Sequence, residues 1–297
     1  MVVGTAVAIA MAWWPAGPAD EDALTLDAYV AKVRSLAAAD DDTGLADYLD
    51  GSMVAVPGSW FRMGSVDGRG NERPARGVYV DGFAMDRYEV TNAQYRRYVI
   101  ATGEPAPPYW AGDHYPANQA DHPVLGVSWV QADGYCRWAG KRLPTEAEWE
   151  LSCRGPEGFT YPWGDAWDEA MANVAAQPLP HRADAFPLLA SGTPAGEAFP
   201  EPIGSHLGGA SAYGILDLCG NAAEWVADWY DPYAYRELPA ENPVGVGPPA
   251  DHVIRGSAWL FPHDAPEYVP DISRCAFRND SHVYADPRMG FRCADSG

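Results

Sequence analysis

The chain opens its patterned region with a helical stripe. Leu26, Tyr29, Val30, Val33 and Leu36 recur at three- and four-residue intervals behind Thr25, a residue type that caps helices. The stripe stops at the acidic run Asp40-Asp41-Asp42. From Met53 the period shortens to the alternation of a strand, as in Met53-Val54-Ala55-Val56, which Pro57-Gly58 ends as a turn. Three more helices announce themselves by capping boxes, in which a hydroxyl accepts from an orphan amide and a Gln or Glu three residues on reaches back. These are Thr91 with Gln94 ahead of Tyr95 and Tyr98, Ser128 with Gln131 ahead of Tyr135, Cys136 and Trp138, and Thr145 with Glu148 ahead of Trp149, Leu151 and Cys153. Gly140 reads as a helix stop and Leu143-Pro144 as the turn into the next start. Between 155 and 215 helical periodicity disappears, and a long ordered-loop region is expected there. No internal repeat is found. The pattern divides the chain into a signal-like or anchoring segment (1–15), a short helix with an acidic linker (16–50) and one domain (51–297).

Composition changes this picture in two places. Met1 to Trp14 carry no charge and Pro15 closes the run. A span needs about 20 apolar residues, so the run is too short to cross a membrane. It fits the apolar part of a signal peptide, with Ala8-Ile9-Ala10 and Ala10-Met11-Ala12 as cleavage-like sites, although no basic residue precedes it. The alternative is a retained interfacial anchor with Trp13 and Trp14 at headgroup depth. The 297 residues hold 30 Gly, 27 Pro and 12 Trp, a mixture that favours loops packed on aromatic anchors. The net charge of −21 excludes a nucleic-acid partner, whose phosphates require clustered Lys and Arg. It leaves a solvated acidic surface, divalent-cation sites or a basic protein partner.

A series of ordered blocks then narrows the reading. They are Gly58-Ser59-Trp60-Phe61-Arg62-Met63-Gly64-Ser65, Tyr88-Glu89-Val90-Thr91-Asn92, His122-Pro123-Val124-Leu125-Gly126-Val127-Ser128-Trp129, Gly140-Lys141-Arg142-Leu143-Pro144-Thr145-Glu146-Ala147-Glu148-Trp149, Tyr161-Pro162-Trp163-Gly164, Gly220-Asn221-Ala222-Ala223-Glu224-Trp225 and Gly290-Phe291-Arg292-Cys293. Over 53–297 the sequence resembles the formylglycine-generating enzyme (sulfatase-modifying factor) family. The resemblance implies an α+β, loop-rich, C-type-lectin-like fold with little regular structure, short helices and small antiparallel sheets. It also implies that Cys136 pairs with Cys293 and Cys153 with Cys275. Such pairs belong to an oxidising compartment, so a periplasmic or extracellular location is expected. Cys219 is left over, as a buried and inert thiol.

Family members that use copper(I) hold it between two thiolates, the first just after an Arg-Gly-Gly-Ser-type turn. The matching stretch here is Arg255-Gly256-Ser257-Ala258-Trp259-Leu260-Phe261, which puts Phe261 at the first cysteine position, and no cysteine follows until Cys275. The resemblance therefore predicts a member without copper and without oxidase activity. Calcium is the family feature expected to persist, held by the carboxylate of Asp217, the carbonyls of Gly220 and Ala222 and the carboxylate of Glu224. A second calcium set would be Asn173, the carbonyl of Val174, Asp184 and the carbonyl of Phe186. The seven histidines show no metal-ligand spacing. Lys141 and Arg142 are expected to pair with Glu146, Glu148 and Glu150, and Trp163, Trp167, Trp225, Trp229 and Trp259 to form core or groove walls. Three functions fit. The reading leans towards a non-catalytic accessory or binding subunit, tied to a protein partner or membrane complex with membrane contact through 1–15. The others are a periplasmic maturation enzyme of the siderophore type with chemistry other than copper, and a lectin-like receptor varying over 260–289.

Overall fold

The computed structural model describes residues 25–174, 182–192, 199–247, 251–260, 266–281 and 286–297. Thr25 caps α1 (Leu26–Ala38) by accepting from the amide of Ala28. The acidic run that ends this helix also starts another. Asp40 takes a left-handed φ of 53°, and the Asp41 carboxylate accepts from Gly44 N to cap α2 (Asp42–Asp50). Both helices pack onto the main body: Val33, Leu45 and Leu49 share a core with Tyr88, Ala93, Ile203 and Leu216. Arg34 clamps them, donating to Asp121 at 2.7 Å and to the carbonyls of Pro202 and Ile203. The described part of 16–50 is thus helical and packed against the main body.

Next come β1 (Met53–Val56), β2 (Ser59–Met63), β3 (Arg76–Val80) and β4 (Phe83–Asp86). The helices α3 (Asn92–Thr102), α4 (Trp129–Trp138) and α5 (Glu146–Arg154) each begin with their capping box fully formed. The region expected to be loop contains α6 (Arg182–Ser191), whose periodicity is obscured by Pro187 in its interior. Then follow β5 (Ala223–Trp229), α7 (Ala234–Glu237), β6 (His252–Arg255), α8 (Val269–Ile272), β7 (Arg278–Ser281), β8 (Met289–Phe291) and β9 (Ala294–Asp295).

The strands form a β1-β4-β9 sheet, a β2-β3 hairpin and a β7-β6-β5-β8 sheet. All pairs are antiparallel except β5 with β8. The last sheet separates two cores, because successive strand residues face opposite sides. Trp225, Ile254 and Phe291 join Tyr95, Tyr135 and Trp259 on one side. Val226 and Val253 join Met85, Trp149 and Leu151 on the other. Cys136 is bonded to Cys293 and Cys153 to Cys275, across sequence separations of 157 and 122. Two such bonds fit an extracytoplasmic protein. Among the described residues no helix is long and apolar enough to cross a membrane.

Candidate functional site

The turn entering β5 is wound tightly: Asp217, Gly220 and Asn221 have φ of 59°, 90° and 61°. Gly220 is required by close approach, since a Cβ there would stand 2.5 Å from the Asn173 carbonyl oxygen. That oxygen accepts from Asn221 N at 2.9 Å, and Asn173 Nδ2 donates to Asn221 Oδ1 and to the Phe199 carbonyl. Glu89 supports the turn from beneath, its two oxygens accepting from Ala222 N and Asn221 Nδ2. Asp217 accepts from Gly204 N at 2.6 Å through Oδ2. Glu224 is gripped by Arg292 at 2.6 and 2.8 Å and by the Trp149 indole N–H at 2.8 Å. Arg292 spends its remaining donors on the carbonyls of Leu216, Asp86 and Arg87.

Glu89, Asp217 and Glu224 are all buried, and Arg292 is the guanidinium that faces them. Burial, and then the charge of Asp217, raises the Glu89 carboxyl well above its usual range, and burial raises Asp217 as well. The cluster is short of positive charge. Its donors are hard oxygens, a combination that suits Ca2+. Of the four expected ligands, Glu224 is largely committed to Arg292 and Trp149. Asp217 keeps Oδ1 without a hydrogen bond among the described residues. Among those residues no three His, Cys, Asp or Glu side chains converge as a ready metal centre, so any cation here would lean on the carbonyls of Gly220 and Ala222. Glu89 and Arg292 escaped the sequence reading of this site. Each lies inside a quoted block, where a charge amid apolar neighbours was the available signal.

The second calcium set is spread out. Asn173 and Val174 lie against the Gly220 turn, whereas Asp184 and Phe186 lie on α6. Phe186 points its ring at Gly126, and the side chain of Asp184 lies outside the described residues. The contacts of Asn173 run to Asn221 and Phe199 instead of α6.

The second half of the site is the turn after β6. Arg255 is fully buried and donates to Glu146 at 3.0 Å, to Glu150 at 2.8 Å and to the Cys275 carbonyl. Arg278 doubles the grip on Glu146 at 2.7 and 2.8 Å. Gly256, with φ of 74°, lets the chain pass the Trp149 ring. Ser257 Oγ lies 3.1 Å from Ser273 Oγ and 3.9 Å from Cys219 Sγ, all three residues buried. Burial pushes the Cys219 thiol up to about 12. Trp259 is fully buried, its indole donating to the Pro287 carbonyl. Phe261 lies outside the described residues, as do His263, His282 and residues 1–24.

The expected ion pairs are partly redirected. Arg142 pairs with Glu148, but Lys141 reaches Asp86 at 2.7 Å, and Glu146 and Glu150 serve Arg255, Arg278 and Arg154. Trp225 and Trp259 are core residues, while Trp163, Trp167 and Trp229 are half-buried.

This combination of short helices, small sheets and a wound, oxygen-rich turn defines a C-type-lectin-like fold of the formylglycine-generating-enzyme type. The chain belongs to the sulfatase-modifying factor enzyme 1-like domain family, whose model matches residues 46–296. It is 33% identical to the formylglycine-generating enzyme of Bos taurus, over 82% of this chain and 74% of that one. It is 31% identical to the enzyme of Streptomyces coelicolor, over 82% and 88%. The serine/threonine-protein kinase pkn1 of Chlamydia caviae is 32% identical over 82% of this chain, which spans 37% of that kinase. Among solved structures, PvdO from Pseudomonas aeruginosa superposes with a TM-score of 0.63 at 26% identity, covering 82% of this chain and 93% of that one. The Treponema denticola variable protein 1 (TM-score 0.61, 18% identity, 82% and 95% covered) shares the fold.

Proposed function

We propose that this protein is an extracytoplasmic binding or accessory subunit on a formylglycine-generating-enzyme scaffold, without copper and without oxidase activity. The cysteine inventory carries the reading. Five cysteines are present, four in disulfides, and the fifth is a buried thiol that stays protonated at any physiological pH. Phe261, at the position of the family's first copper thiolate, offers no soft ligand in its place. The partner is a protein or a membrane complex in the periplasm or outside the cell, with residues 1–15 as the membrane contact. The oxygen-lined, charge-deficient turn around Asp217 and Glu224 holds structural Ca2+. Incubating the purified protein with copper(I), oxygen and a cysteine-containing sulfatase peptide tests this. Mass spectrometry is expected to find the peptide unchanged. Formylglycine in the product would overturn the reading; formylglycine without added copper would instead establish an enzyme with other chemistry.

A further inference from the structure

Beyond the function proposed above, and independently of it, an aromatic cluster lies on the loop between α5 and α6. Tyr161 and Trp163 stack nearly parallel, 9° apart with centroids at 5.4 Å. Trp167 closes against both, at 60° to Tyr161 and 52° to Trp163, with centroids at 5.4 and 5.8 Å. Tyr161 is the anchored member, buried and donating its hydroxyl to the Pro270 carbonyl of α8. Trp163 is fixed as well, since its indole N–H donates to the Ala166 carbonyl at 2.9 Å. The two indoles are half-buried, so the corner they make is pre-formed yet reaches solvent. No hydrogen bond among the described residues falls on the Trp167 indole N–H.

Charge decides what such a corner would hold. Indole faces carry the negative part of a quadrupole and attract cations. The flanking residues Asp165, Asp168 and Glu169 are exposed. Asp165 uses Oδ1 on Thr160 and keeps Oδ2 without a partner among the described residues. From 155 to 180 the sequence contains no Lys or Arg. The guanidinium that Tyr161 feels, Arg274, is spent on Glu72 and Asp271 at 2.7 and 2.6 Å. A neutral sugar would gain nothing from this negative field, whereas an organic cation gains from both the rings and the carboxylates, and the net charge of −21 steers it in.

We propose that the Trp163–Trp167 corner binds an alkylammonium head group. The test compares choline with its uncharged carbon isostere, 3,3-dimethyl-1-butanol, by saturation-transfer NMR on the full chain against sodium chloride at matched ionic strength. Choline is expected to bind saturably, at millimolar concentration, and at least tenfold more tightly than the isostere. Trp167→Ala should weaken choline at least tenfold at unchanged melting temperature, with Trp167→Phe in between. Nα-acetyl-lysine methylamide separates the sources: tighter binding than choline assigns the site to a protein lysine, weaker binding to a quaternary ammonium. Equal affinity for choline and its isostere would overturn the proposal and leave an apolar patch. So would displacement of choline by methyl glucoside, or no saturable choline binding. Should Trp167→Ala fail to fold, the isostere comparison and Trp167→Phe decide the matter on folded protein.

Discussion

Asp228 shows how much one side chain joins. Its Oδ2 accepts from Glu146 N, an orphan amide in the first turn of α5, and its Oδ1 accepts from Gly245 N, which holds the 242–247 segment against β5. Burial, and next the neighbouring charge of Glu146, raise this carboxyl to about 7. A carboxyl whose folded value lies above its unfolded one favours the fold in its protonated form. Its contribution is therefore complete below about pH 4 and is lost as the pH climbs to 7. Melting temperatures of the wild type and Asp228→Asn, measured from pH 4 to 9, should reveal it. The margin by which the wild type exceeds the variant is expected to shrink up to about pH 7 and to stay level above. A margin that widened over that interval would contradict the assignment.

At the scale of elements, the same helix start carries a second prediction. Thr145 accepts from Glu148 N, and Glu148 reaches back to Thr145 N at 2.7 Å. Thr145→Ala should cost about 1 kcal/mol, the usual worth of an N-cap hydroxyl, read as a lowered midpoint in urea unfolding with an unchanged slope. A change under a few tenths would mean that Asp228 alone secures the helix start. Capping boxes were legible because their chemistry is local, and α3, α4 and α5 begin where the boxes place them. The second helix was hidden because Asp40 to Asp42 serve as stop and start at once, and α6 because Pro187 breaks the pattern by which helices are read. In the site, Asp217 and Glu224 could be named from a motif, but not the bidentate hold of Arg292 on Glu224, since those two residues meet across 68 positions. Lys141 likewise reaches back 55 positions to Asp86 rather than forward to the nearby glutamates. Local rules carry no information about such pairings.

For the whole molecule, the proposed calcium would cross-brace segments remote in sequence, since the Asp217–Glu224 turn touches Glu89, Asn173, Gly204 and Arg292. A ligand that binds only the native state adds stability that grows with its concentration, about 2.7 kcal/mol at a hundredfold excess over the dissociation constant. The melting temperature is thus expected to rise by several degrees from EGTA to millimolar Ca2+, and Asp217→Ala should abolish the response. Equal melting temperatures in EGTA and Ca2+ would remove calcium from this turn.

Arg292, Cys293 and Ala294, which follow nearly every other element in chain order, together close the structure. Arg292 neutralises Glu224, Cys293 bonds to Cys136 and donates its amide to Asp86, and Ala294 pairs with Met85 and with Arg142. Without them Glu224 would be an uncompensated buried charge, α4 would lack its covalent tie and β4 a neighbour on one side. The domain is therefore closed by three consecutive residues, one for each kind of bond that holds it: ion pair, disulfide and strand ladder.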